Sequence, residues 1–221
     1  MEMLVLGHGG LPLLVFPTSQ GRFYEYEDRG MAAAVWHKYE SGQLQAFCVD
    51  SVDSESWYNR QAHPAWRVRR HLQYESYVLE EVVPLIRHLN PCGEIVTHGC
   101  SFGGFHAVAF ALRRPDVFRG VVSLSGAYDI QSFLDGYHDE DVYFVNPPEF
   151  LPNLQDDWSL SRFRSFRSFV LGTSEWDICL AANRRFAGLL EAKGIPHYLD
   201  VWGPGFPHDW PLWQAMARKY F

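Results

Sequence analysis

The 221-residue chain holds 19 basic and 26 acidic residues, a formal charge of −7, with 47% hydrophobic and 20% charged side chains. That balance excludes general disorder, and the negative charge argues against a nucleic-acid surface, which needs a basic stripe to meet phosphates. No apolar run approaches the length of a membrane span, and the length suits one domain over residues 1–221 with a sizeable core.

Residues 1–8 lack a basic n-region, a long apolar h-region and a small-residue cleavage site, so no secretory signal is expected. Leu11–Phe16, an apolar run bounded by Pro12 and Pro17, predicts a strand. Met31–Glu40, with Ala32, Ala33 and Ala34, predicts a helix, and Leu44–Val49 a second strand ended by Asp50 and Ser51. Pro64–Leu89 is the longest helix candidate, its apolar residues recurring near the 3.6-residue period. Pro84 should kink or break it. Within it Arg67, Arg69, Arg70 and His71 are expected on a solvated face.

Further along, Glu94–His98 predicts a strand, Phe102–Arg114 a helix and Val121–Leu124 a strand. From Tyr128 to about Ser161 prolines and acids break the pattern, which predicts an irregular excursion (128–161) near the face that carries the site. Alternation resumes with Phe169–Leu171 (strand), Cys179–Lys193 (helix), His197–Trp202 (strand) and Trp210–Tyr220 (helix). Alternating strands and helices imply an α/β fold, a mostly parallel sheet with helices on both faces and no large lid. Sites in such sheets lie at the carboxyl ends of the strands. Cys48, Cys92, Cys100 and Cys179 match neither a zinc motif nor a disulfide framework, and predict free thiols in a reducing cytoplasm.

Gly99-Cys100-Ser101-Phe102-Gly103 matches G-x-S-x-G, the nucleophile elbow. The string alone is common; its context, a strand leading in and a small-residue helix leading out, gives it weight. The serine must sit on a tight strand-to-helix turn, and the flanking glycines remove side chains that would clash there. The plainer alternative is a glycine-rich turn with an incidental serine. Cys100 should point into the core as an inert thiol.

A serine nucleophile on this fold is followed in chain order by an acid and then a histidine. His208 lies in the loop between the last strand and last helix, from which an imidazole can reach across the strand ends. His63 and His138 are also in loops; the other histidines fall on helices, strands or the N-terminal turn. The acid should follow the strand ending near Leu171: Asp177 is the first candidate and Glu175 the second. Asp177 could equally cap the helix after it. One oxyanion donor should be the N–H of Phe102, and the other that of Thr18 or Ser19 in the loop after the first central strand, where both could also be ordinary turn residues. His8-Gly9-Gly10 precedes that strand and reads as a decoy turn. Trp176 and Trp210, each within two residues of a candidate, are the tryptophans expected in a substrate pocket, although core packing is the more ordinary role.

The segments Tyr77–Pro84, His98–Gly104, the stretch around Asp177 and the ending His208–Trp213 resemble the "putative esterase" branch of the α/β-hydrolase superfamily. That branch includes esterase D (S-formylglutathione hydrolase) and the antigen 85 mycolyltransferases. The resemblance implies an α/β-hydrolase fold, a Ser101–Asp177–His208 triad with Phe102 and Thr18 as oxyanion donors, and a small-molecule ester substrate. Pro17-Thr18-Ser19 stands where the family has a glycine, a departure that bears on the second donor. The implied chemistry is ester hydrolysis through an acyl-serine, with no metal or cofactor. An acyltransferase on the same machinery and a non-catalytic binding protein on the scaffold are the rival readings.

Overall fold

The apolar runs become strands of one sheet in the computed structural model, which describes residues 1–221. Its seven strands are β1 (Met3–Leu6), β2 (Leu11–Phe16), β3 (Leu44–Val49), β4 (Ile95–Cys100), β5 (Phe118–Leu124), β6 (Ser168–Trp176) and β7 (Tyr198–Pro207). Their order is β1-β3-β2-β4-β5-β6-β7, with β1 antiparallel to β3 and the other pairs parallel. β1 lies outside the predicted strands; it is too short to announce itself, and gains its partners only by folding back along the edge of β3. The turn at His8–Gly10 joins it to β2.

Side chains alternate across the sheet, as a period of two requires. Leu14, Phe16, Phe47, Val49 and Val121 enter one apolar layer, and Leu13, Val15, Ala46, Cys48 and Val122 the other. The first layer is covered by Tyr74, Val78, Val82 and Ile86 of the long helical stretch and by Phe186 and Leu190 of the Leu180–Ala192 helix. Met31, Val35 and Tyr39, together with Leu212 and Met216 of the Trp210–Tyr220 helix, cover the second. The Phe102–Arg113 helix is apolar all round and buried from Phe102 to Leu112, the mark of a helix at the centre of the layers.

Four expectations are corrected. The long helix does not break at Pro84: a π-helical turn at Val78–Val82 intervenes between helical Pro64–Tyr77 and Val83–Leu89. The wider turn absorbs a residue that lacks an N–H and crowds the carbonyl four positions back. The basic cluster is a solvated face only in part: Arg69 is exposed and Arg70 half-buried, but Arg67 and His71 are buried. The Arg67 guanidinium donates to the carbonyls of Asn59, Arg60 and Phe133 and pairs with Asp135, tying two loops together. The 128–161 excursion is built of short helices, among them Glu140–Val145 and Pro147–Phe150. Asp139 and Asp156 cap two of them, and prolines at first-turn positions fit helix starts as well as loops. Val142 and Val145 from this stretch pack with Phe102, Phe105 and Ala109. The predicted Met31–Glu40 helix is likewise split at Val35 into Met31–Ala34 and Trp36–Glu40.

The four cysteines are free, and no helix is long and apolar enough to cross a membrane. Buried His98 donates from Nδ1 to the Val122 carbonyl at 2.7 Å. Burial pushes its imidazole down from 6.5 to about 4, against the opposing effect of that bond. Below 6.5 the unfolded chain takes up a proton that the folded one refuses until about 4, so His98 contributes stability that is lost as the pH falls between those values. From this residue alone, denaturant titrations should give an unfolding free energy about 2 kcal/mol lower at pH 5 than at pH 7. The difference should shrink in His98→Asn, whose amide can still donate to Val122.

Candidate active site

Strand β4 must pass into the Phe102–Arg113 helix within a single residue. Ser101 makes that turn at φ 55°, ψ −120°, a sparsely populated backbone for a residue with a side chain. Such strain costs on the order of 1–3 kcal/mol and persists only where the surroundings enforce it. Here the Ser101 N–H donates to the Leu124 carbonyl at 2.8 Å, and the Ser101 carbonyl accepts from Gly104 N at 3.0 Å. Two glycines permit the geometry. A Cβ on Gly99 would lie 2.2 Å from the Gly103 carbonyl oxygen, and one on Gly103 would lie 2.5 Å from the carbonyl oxygens of both Phe16 and Pro17. The second approach also brings the loop after β2 against the start of the helix. Cys100 is buried, and burial pushes its thiol far up.

Ser101 Oγ lies 2.9 Å from His208 Nε2, and His208 Nδ1 lies 2.8 Å from Asp177 Oδ1. A carboxylate only accepts, so Nδ1 carries the proton and Nε2 is left to accept from the serine. His208 follows the far end of β7, where Pro207 pairs with Trp176 of β6 and the Ser174 hydroxyl holds the Phe206 carbonyl. Its ring stands edge-on to Trp213 at 5.1 Å. Glu175 is exposed, and Asp177, not Glu175, meets the imidazole. Of the competing loop histidines, His63 accepts from Ala65 N at the start of its helix and His138 pairs with Glu149.

Asp177 has a fully buried side chain. Burial alone would raise its pKa, but donors from His208, Ser125 Oγ and Cys179 N outweigh that, and the carboxyl is held below its ordinary range. The Cys179 N–H bond, at 2.7 Å, is the local turn two residues on, so Asp177 holds the turn ahead of the Leu180–Ala192 helix, whose N-cap is Cys179, and faces His208 at once. Ser125 donates to Oδ2 and itself accepts from Trp213 Nε1 at 2.8 Å. Ser125 was not among the residues singled out from sequence; its signal was a Ser-Gly pair directly after a buried strand, where strand ends carry sites.

The loop after β2 corrects the expectation for Thr18. Its N–H donates to Glu25 Oε2 at 2.9 Å and its hydroxyl to Glu25 Oε1 at 2.8 Å, so this N–H is already engaged. Gln20 N donates to Asp53 Oδ2 at 3.3 Å, and Asp53 Oδ1 meets His106 Nε2 at 2.9 Å within the helix that Ser101 begins. Gly21 N closes the turn on the Thr18 carbonyl, with Gln20 at φ 57°. Carboxylates thus engage the N–H groups on either side of Ser19, whose hydroxyl accepts from Tyr58 at 2.6 Å. Phe102 opens the helix, where the first N–H groups have no intrahelical partner.

Trp176 is exposed beside the His208 loop. Trp210 is half-buried against Trp213 and lines an apolar crevice with Pro17, Thr18, Phe23, Tyr26 and Cys100. Asp177, Cys179 and His208 place possible ligand atoms within 4.8 Å of one another. A cation there would have to displace the Asp177–His208 bond and strip a thiol that burial and Asp177 hold up at about 12.

The family model described as "Putative esterase" matches residues 19–217. Among solved structures, an S-formylglutathione hydrolase from Agrobacterium tumefaciens superposes with a TM-score of 0.76 at 15% identity, covering 99% of this chain and 86% of its own. A ferulic acid esterase gives 0.71 at 17% identity, with 96% and 83% covered. An S-formylglutathione hydrolase from Staphylococcus aureus gives 0.69 at 18%, with 97% and 80% covered. No curated protein matches by sequence. At such identities the structural likeness concerns the fold, while the family match spans most of the sequence. The chain therefore belongs to the Putative esterase family, and is an esterase built on the α/β-hydrolase fold.

Proposed function

We propose that this esterase cleaves carboxylic esters through an acyl-Ser101 intermediate, with His208 as base and Asp177 as the acid behind it. The observation that carries the reading is the unbroken line from Ser101 Oγ through both His208 nitrogens to the Asp177 carboxylate, at 2.9 and 2.8 Å. Ser101 Oγ attacks the ester carbonyl as its proton passes to His208 Nε2. The imidazolium, faced by Asp177, returns that proton to the departing alkoxide. Water then repeats the cycle on the acyl-serine, and carboxylic acid leaves. Phe102 N–H and Ser19 N–H receive the oxyanion, at a helix start that favours negative charge. Trp176 and Trp210 are assigned to the walls that meet the substrate.

A fluorophosphonate should add once to the parent protein, read by intact mass, and not at all to Ser101→Ala. Turnover of p-nitrophenyl acetate should fall by ~10⁴-fold or more in that variant. An adduct that survives the substitution, or the lack of both adduct and turnover in folded parent protein, overturns the reading.

The oxyanion assignment has its own test. Ser19 occupies the second position of a turn whose third residue has positive φ, a place that suits proline. Ser19→Pro removes the N–H and should lower kcat by about 10²–10³-fold with little change in KM. Ser19→Ala, which loses only the hydroxyl, should stay within about threefold of the parent. Equal losses in the two variants would remove Ser19 N–H from the oxyanion site.

A further inference from the structure

We infer that Ser125 and Trp213 are positioning residues that aim the Asp177 carboxylate at His208, an inference that rests on the function proposed above. Ser125 has one hydroxyl proton and buried surroundings. Trp213 Nε1–H, a group that can only donate, occupies the acceptor side of that hydroxyl at 2.8 Å. The proton is thereby turned toward Asp177 Oδ2. The same indole stands edge-on to the His208 ring at 5.1 Å and 88°. One side chain therefore touches the imidazole directly and the carboxylate through Ser125.

The backbone points the same way. Ser125 sits at φ 52°, in the left-handed region, with its N–H on the Gly172 carbonyl at 2.6 Å. Glycine would adopt this conformation without strain. A serine here keeps the strain and supplies a hydroxyl that glycine lacks. With Oδ2 held by Ser125 and Oδ1 by Cys179 N–H as well as His208, the carboxylate cannot swing away without losing donors on both oxygens.

The test uses Ser125→Gly, Ser125→Ala, Trp213→Phe and the double variant Ser125→Gly/Trp213→Phe. Three quantities are read: kcat and KM for p-nitrophenyl acetate, the acid limb of the pH profile of kcat/KM, and the low-field proton resonance of His208 Nδ1–H. Ser125→Gly relieves backbone strain, which offsets part of the cost of the lost hydrogen bonds, so a purely structural serine would leave the activity of the folded variant unchanged. Positioning predicts a fall in kcat of about 10–100-fold with KM within about twofold, and a shifted Nδ1–H resonance. The acid limb should move to higher pH, since a carboxylate with one donor fewer draws the facing imidazolium more strongly and so favours the inactive, protonated base. Ser125→Ala should match Ser125→Gly. Trp213→Phe, which keeps a ring against His208 and loses the N–H, should give a smaller fall of the same kind. The double variant should match Ser125→Gly within about twofold, because the indole N–H acts through the hydroxyl. Unchanged kcat and resonance in Ser125→Gly, or losses that multiply in the double variant, would overturn the assignment. A parent protein that turns over no ester would count against the proposed function, while the resonance shift would still decide this inference.

Discussion

Everything at the site depends on how closely β4, β2 and the central helix can approach one another. The two glycines of the elbow are the points of contact, and what they touch is backbone rather than side chain. Backbone cannot rotate out of the way, so a methyl group at either position would have to push a strand or the helix bodily aside. This crowding forces Ser101 into its unusual conformation and holds it there. It also draws the loop after β2 alongside the helix start, so that the N–H of Phe102 and the Ser19 turn belong to one small region.

Around that contact, carboxylates (Asp177 and Asp53 buried, Glu25 half-buried) set the polar geometry by dividing their oxygens among donors. Asp177 serves a histidine, a hydroxyl and an amide; Glu25 takes both donors of Thr18; Asp53 joins the Gln20 amide to His106. A buried charge with several well-placed donors is costly to move, because each departing donor leaves part of it unsolvated. These three acids sit on separate elements, and each fixes a different part of the same small region.

The central architecture was legible because it is written in local patterns. The apolar runs 11–16 and 44–49 match strands β2 and β3 in extent, and the predicted helices from Phe102 and from Trp210 begin at those residues. Ser101, His208 and Asp177 came from motif and chain order, and the structure brings these three together. The hidden features are those decided by distant partners. Thr18 and Ser19 look alike in sequence; which one keeps a free N–H depends on a glutamate seven residues on that happens to face Thr18. The burial of Arg67 depends on loops around residues 59 and 133 closing over it. Ser125 has no motif, and its hydroxyl meets partners 52 and 88 residues away, Asp177 and Trp213. Pro84 would break an isolated helix, and only packing makes the π-helical turn the better solution.

Arg67 has a consequence for motion. Its guanidinium holds carbonyls from residues 59 and 60 on one loop and 133 on another, and these loops carry Tyr58 and Phe133, whose rings meet each other and Phe102. Lifting either loop strips carbonyl acceptors from a buried guanidinium. The two segments should therefore open as a single cooperative unit. Their fluctuations would be rare and concerted, and this aromatic wall would be close to two-state rather than continuously adjustable.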